Sequence, residues 1–247
     1  MSTTEGFDQA LTVFNPEGKL FQVEYAFRAV KTSGLSHVAI RCLDGVVLVS
    51  QLQSADRLVD TANNTFIHEI NETSACMICG RIADGRRVID RVRSEAVDFF
   101  RKWNYQPTAD ILCTRLADIN QIYTQEAWQR PFGNIAVFAG WDPEQDRSLL
   151  FKTDPAGTNT GHFAIAVGVK EVELADALTI QIKSFPNGIC ESTQKGLDCA
   201  LKIFQNVIST GLTGDDVEVG IYTKVGLKRL TPIEVDKRLG ELAVQTE

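Results

Sequence analysis

The stretch Val38 to Ser50 reads VAIRCLDGVVLVS, and it constrains the fold more than any other part of the chain. Val38–Arg41 and Gly45–Ser50 read as two strands joined by the turn signal Leu43-Asp44-Gly45, hence an antiparallel hairpin. A strand with one wet face alternates apolar and polar residues, because successive side chains point to opposite sides of the sheet. Gly45-Val46-Val47-Leu48-Val49 does not alternate, so both faces of that strand are expected to be covered.

The rest of the pattern supplies the covers. Val23, Ala26, Phe27 and Val30 recur at helical spacing, predicting a helix over residues 20–33 that Gly34 ends, after a Pro-Gly turn in FNPEGK. Strands are expected near Phe66–Ile70 and Ala75–Cys79. Two long helices follow, one carrying Val88, Ile89, Val92, Ala96, Phe99, Phe100 and Trp103, the other opened by Pro107-Thr108 and carrying Leu112, Leu116, Ile119, Tyr123 and Ala127. Strands return at Ile135–Trp141, Leu149–Thr153 and Phe163–Val167, with turn signals at Trp141-Asp142-Pro143 and Asp154-Pro155-Ala156-Gly157. Helices are expected through Leu174, Leu178 and Ile182 and through Leu197, Ala200, Phe204 and Val207, then a half-buried strand over Val217–Tyr222 and a short one at Lys228–Leu230. Thr231-Pro232-Ile233-Glu234 announces a last helix with a capping box. Runs of strands with short turns imply antiparallel sheets. The chain therefore reads as α+β, a four-layer α/β/β/α sandwich of two antiparallel sheets forming a single domain over residues 1–247.

Composition narrows the function classes. A net charge of −7 argues against a nucleic-acid surface, and the five arginines between Arg81 and Arg93 are spread around a helix and broken by Asp84 and Asp90. No window has the ~18–20 consecutive apolar residues of a membrane span, and MSTTEGFDQALT has neither the basic patch nor the apolar run of a secretory signal. A cytoplasmic or nuclear location is the expectation. The six cysteines lie in apolar segments and read as reduced core residues; Cys76-Met77-Ile78-Cys79 has no second CxxC and no histidine pair to make a metal site. The two Asn-x-Thr sequons, at Asn63 and Asn71, carry no weight without secretion.

Catalytic motifs are missing. There is no GxGxxG after a strand, no GxxxxGK[ST], no HExxH and no GxSxG. His37, His68 and His162 each lie in or beside an expected strand, and Asp142, Asp215 and Asp216 sit at turns, where capping explains them. No catalytic residue, metal ligand or cofactor is expected from the residues alone.

GFDQALTVFNPEGKLFQVEYAFRAV closely resembles the N-terminal signature of proteasome alpha subunits, and the resemblance continues through DGVVLVSQ, ADGRRVIDRVRSEA, LADINQIYTQEAWQRPFG, TDPAG and LTPIEVD. The combination of GFD, QVEYAFRA and IYTQ is most similar to the alpha type-6 branch. The family's fold is the Ntn-hydrolase sandwich, in agreement with the layers above. The resemblance implies a non-catalytic place in the seven-membered outer ring of the 20S core, with other alpha subunits, beta subunits, an ATPase regulatory particle and other activators as partners. Residues 1–19 would be gate tail and turn, and residues 20–33 a ring-packing helix.

A beta-type site needs an N-terminal threonine whose amine serves as its own base. Superposing the hairpin on the beta pattern puts Leu35 at the nucleophile position and Gln51 at the acidic partner's. The rival readings are an Ntn-type hydrolase activated by processing before a Thr, Ser or Cys, and a stand-alone interaction module. The resemblance further assigns Phe7, Asp8, Pro16 and Tyr25 to a gate cluster, with two departures: Phe7 replaces the usual tyrosine and Gln9 the usual arginine. Gly80 matches a glycine of the activator-tail pocket and Phe66 falls where the pocket lysine belongs. No lysine occurs between Lys31 and Lys102, so weak tail binding is expected.

Overall fold

The computed structural model describes residues 6, 9–52, 65–209 and 211–244. Among the described residues ten strands form two five-stranded antiparallel sheets. The first has the order β10 (Gly226–Arg229), β9 (Val217–Thr223), β2 (Gly45–Gln51), β1 (Ser36–Cys42), β8 (Ala164–Gly168). The second runs β3 (Ile67–Asn71), β4 (Ser74–Gly80), β5 (Asn134–Asp142), β6 (Arg147–Thr153), β7 (Asn159–Gly161). The expected hairpin pairs in the register Cys42 to Gly45 and His37 to Ser50, and β2 is buried along its length except at Gln51.

The expected four layers are present. Val46, Leu48, Met77, Val137, Val167 and Tyr222 meet between the sheets, so the non-alternating strand is covered on that side by the second sheet. Val47 and Val49 point the other way, into a cluster with Leu174, Leu178, Leu201 and Phe204 from α4 (Glu171–Lys183) and α5 (Thr193–Val207), joined by Val235 and Leu239 of α6 (Pro232–Val244). On the outer face of the second sheet, Cys76, Ile78 and Phe138 pack with Val88, Val92, Leu112 and Leu116 of α2 (Ile82–Trp103) and α3 (Ala109–Gln125). Each fully buried side chain of this size stabilises by roughly 1.5–3 kcal/mol relative to exposure. Polar ties also cross the central layer: the Tyr222 hydroxyl donates to the Glu72 carbonyl at 2.7 Å, and Glu218 accepts from the Phe66 amide at 2.7 Å and the Thr65 hydroxyl at 2.6 Å.

The helix expected at residues 20–33 is α1 (Phe21–Thr32). It buries Val23, Ala26 and Val30, packs against β4 and β5, and ends before Gly34, whose φ is +79°. One strand has no sequence signal. β7 is three residues, Asn-Thr-Gly, without an apolar side chain, and exists by edge pairing with β6 in the register Phe151 to Gly161. Among the described residues no helix is long and apolar enough to cross a membrane.

Candidate functional site

Two places in the fold bear on function, the start of β1 and the space between α1 and α2. At the first, Leu35 is buried and its carbonyl accepts from the Val169 amide at 3.1 Å. The Ser36 amide donates to Oε1 of Gln51 at 3.1 Å, and Oγ of Ser36 accepts from the Lys170 amide at 3.2 Å. Gly168 closes the same corner: its φ is +114°, and a Cβ there would lie 2.1 Å from the Leu35 carbonyl oxygen. Only glycine fits, because an L side chain would be both strained and overlapped.

Beside this corner His37 Nδ1 lies 2.6 Å from Ser50 Oγ, with both residues fully buried. A serine–histidine contact resembles half of a hydrolytic triad. Here no substrate carbonyl can reach the hydroxyl, and burial alone pushes the imidazole pKa down to about 3, so it stays neutral. The ring packs on Phe66 with centroids 5.3 Å apart. The pair is core structure.

The second place is open. A cavity of about 740 Å³ separates α1 from the turn between β4 and α2. Tyr25, Arg28, Ala29 and Thr32 form one wall, Gly80, Arg81, Ile82 and Ala83 the other, and Leu35 the floor. The lining is mostly apolar, with Arg28 and Arg81 as its two cations. The Arg28 guanidinium lies 5.7 Å from the Tyr25 ring centroid, and Tyr25 stacks on Phe21 at 6.2 Å. Gly80 has φ +131°, and a Cβ there would lie 2.3 Å from the Gly133 carbonyl oxygen, so only glycine lets the turn pass this close to the start of β5. An apolar slot with two guanidinium groups suits a peptide end that carries a carboxylate.

The turn ahead of α1 is built around a residue outside the expected gate cluster. Asn15 is buried; its carbonyl accepts from the Gly18 amide at 2.9 Å, and its side-chain Oδ1 accepts from the amides of Glu17 at 3.1 Å and Lys19 at 2.7 Å. Pro16 is exposed at the apex. Asn before Pro is the signal that could have found it, since an asparagine side chain mimics a backbone turn.

A family model described as proteasome subunit matches residues 31–222, and the model of the N-terminal signature of A-type proteasome subunits matches residues 7–29. The chain belongs to the alpha-type proteasome subunits. It is 34% identical over 221 residues to the probable alpha type-1 proteasome subunit of Schizosaccharomyces pombe, covering 90% of this chain and 89% of that one. It is 31% identical over 243 residues to the alpha type-6 proteasome subunit of Caenorhabditis elegans, covering 98% and 97%, and 30% identical over 231 residues to the alpha proteasome subunit of Methanopyrus kandleri, covering 94% and 91%. As an alpha-type member the chain is a non-catalytic part of its complex, and the packed corner at Leu35 is the structural counterpart of that status.

The proteasome signature spans the tail, the Asn15–Gly18 turn and most of α1. Of the expected gate cluster, Phe7 and Asp8 lie outside the described residues, Pro16 sits on the turn and Tyr25 on the exposed side of α1, 37% accessible, where it lines the cavity. Gly80 lines the cavity and Phe66 does not; the Phe66 ring is buried on His37, and its carbonyl accepts from the Ile78 amide at 2.9 Å. Among the described residues no group of three or more His, Cys, Asp or Glu could hold a metal ion. Arg28 and Arg81 are not legible as site residues in the sequence, because the resemblance points to a lysine in this pocket.

Proposed function

We propose that this chain forms one segment of the outer ring of a 20S core particle, where it closes the wall, contributes to the entry gate and offers a docking pocket to activators. It assembles with other proteasome alpha and beta subunits, as family membership implies. The observation that carries the rest is the open, apolar, arginine-flanked cavity beside α1, lined by Tyr25, Arg28 and Ala29 from the last part of the signature. The proposed occupant is the C-terminal tail of an ATPase regulatory particle or another activator, its carboxylate on Arg28 or Arg81. This modifies the expectation of weak tail binding: guanidinium groups supply the charge that residue 66 lacks, with the added geometry of a planar fork.

Gate control is assigned to Phe7, Asp8, Pro16 and Tyr25, on the strength of the signature that contains all four. The alpha type-6 position in the ring is supported by GFD, QVEYAFRA and IYTQ and by the type-6 relative matched over 98% of this chain. The cytoplasm and nucleus are the proposed compartments. Particles reassembled with Arg81→Ala in this chain should capture a photoreactive tail peptide at this pocket roughly tenfold less well; equal capture here would sink the pocket assignment. Purified chain should show no hydrolysis of fluorogenic peptides, and crosslinking of the endogenous particle should give the two type-specific neighbours.

A further inference from the structure

Behind the cavity lies a strap that its lining residues lean on. Arg130, Pro131, Phe132 and Gly133 run from the end of α3 to the start of β5. The Gly133 carbonyl accepts from the Arg81 amide at 2.9 Å. A Cβ at Gly133 would stand 3.1 Å from Ala29 Cβ and 3.3 Å from Arg81 Cδ, so the strap touches both cavity walls from the back. A single carboxylate fixes it. Asp84, in the first turn of α2 with its side chain 8% exposed, accepts from Arg130 Nη2 on Oδ1 and from Arg130 Nη1 on Oδ2, both at 2.7 Å, while Oδ2 also takes the Gly133 amide at 2.9 Å. Arg130 Nη1 donates in addition to the Pro131 carbonyl at 2.9 Å, and the Phe132 ring stands edge-on to Tyr123 with centroids 5.0 Å apart.

A first-turn acid that merely complemented the helix dipole would be exposed and unpaired. Asp84 instead joins α2, the strap and, through Gly133, α1. We infer that Asp84 and Arg130 are positioning residues that set the separation of α1 from the first turn of α2, and so the width of the cavity its occupant must enter; the second half of this rests on the tail-pocket reading above. A bidentate fork holds one distance and one plane, whereas a lysine would hold only a charge.

The test uses the full chain with Thr32→Cys and Ala83→Cys, which face each other across the cavity and are both exposed. The six native cysteines are buried, so spin labels go to the two introduced thiols. Pulsed electron resonance should give one narrow distance distribution, broadened or displaced by Arg130→Gln and partly restored by Arg130→Lys. Arg238→Gln, which breaks the comparably forked Arg238–Asp198 pair between α6 and α5, should leave it unchanged. An unchanged distribution in Arg130→Gln, or equal broadening in Arg238→Gln, overturns the inference; thermal melts confirm that each variant is folded. In parallel, a fluorescent photoreactive heptapeptide with a free carboxylate, set against its amide, should lose capture by roughly threefold or more in Arg130→Gln, because the pocket is less preorganised. Broadening with no capture even by the parent arginine chain supports the positioning role and counts against the tail pocket instead.

Discussion

The corner at Leu35 and the cavity beside α1 share a boundary and have opposite character. At the corner the Leu35 carbonyl and the amides of Ser36, Val169 and Lys170 are hydrogen-bonded, Gly168 leaves no room for a side chain, and a neutral histidine is sealed against a serine. Across Leu35, the cavity keeps two guanidinium groups and a tyrosine ring at an open, apolar surface. Chemistry needs a nucleophile that substrate can reach; docking needs unsatisfied groups waiting for a partner. In this chain the first place has been filled and the second left open. The difference shows why an Ntn-type sandwich does not by itself imply hydrolysis.

The largest effect is expected from Gly168→Val. It places a branched side chain at positive φ against the Leu35 carbonyl, and should cost about 5 kcal/mol in urea unfolding, enough to leave little folded chain. Survival with near-normal stability would show that the corner is looser than its contacts imply.

Next comes acid. His37 titrates near 3 in the folded chain and near 6.5 unfolded, so its contribution is complete above about pH 6.5 and falls as pH drops toward 3, by on the order of 5 kcal/mol. His68, held near 4 chiefly by burial, and His162, also lowered, act in the same direction. Unfolding free energy followed from pH 7 to 4 should therefore slope less steeply in His37→Gln without becoming flat. An identical slope would remove His37 from the account.

On the cavity side, Asp84→Ala should cost about 2 kcal/mol, since it strands the Gly133 amide and the Arg130 fork, and Asp84→Asn less, because one amide oxygen can still accept from Gly133. The Arg130 hydrogen bonds and the Gly133 amide hold the Asp84 carboxyl below the ordinary carboxylate range. Its contribution is thus present above about pH 4 and lost only as pH falls below that, a window that overlaps the His37 one only at its acid end, between about pH 4 and 3. The smallest change in stability should come from Arg28→Ala and Arg81→Ala, within about 0.5 kcal/mol, because both sit at an exposed surface. Their loss is expected in tail capture alone, and a large melting shift in either would turn the cavity into one more piece of packed structure.

Much of the fold is legible in the sequence because burial on two faces leaves a distinct pattern. Gly45–Val49 could only be covered from both sides, and the stepped apolar residues of Val88–Ala96 and Leu197–Phe204 could only face a sheet. β7 escapes because Asn159-Thr160-Gly161 has no apolar period; pairing with a ready-made edge is what makes it a strand. The site is legible only in part. The tail, turn and helix signature points to the right end of the molecule, and Gly80 to the right cavity, whereas Asp84 reads as an interruption in an arginine-rich helix and Arg130 falls inside a family-like block that gives no sign of its partner.

By itself the sequence determined the layers, the antiparallel sheets and the alpha-type signature, because each of these follows from local periodicity, short turns or the identity of single residues. Which cation faces the cavity, and that Arg130 meets a carboxylate 46 positions earlier, were decided only by the tertiary structure. Contacts at that separation are set by how the second sheet stacks its helices, and no window of neighbouring residues contains that information.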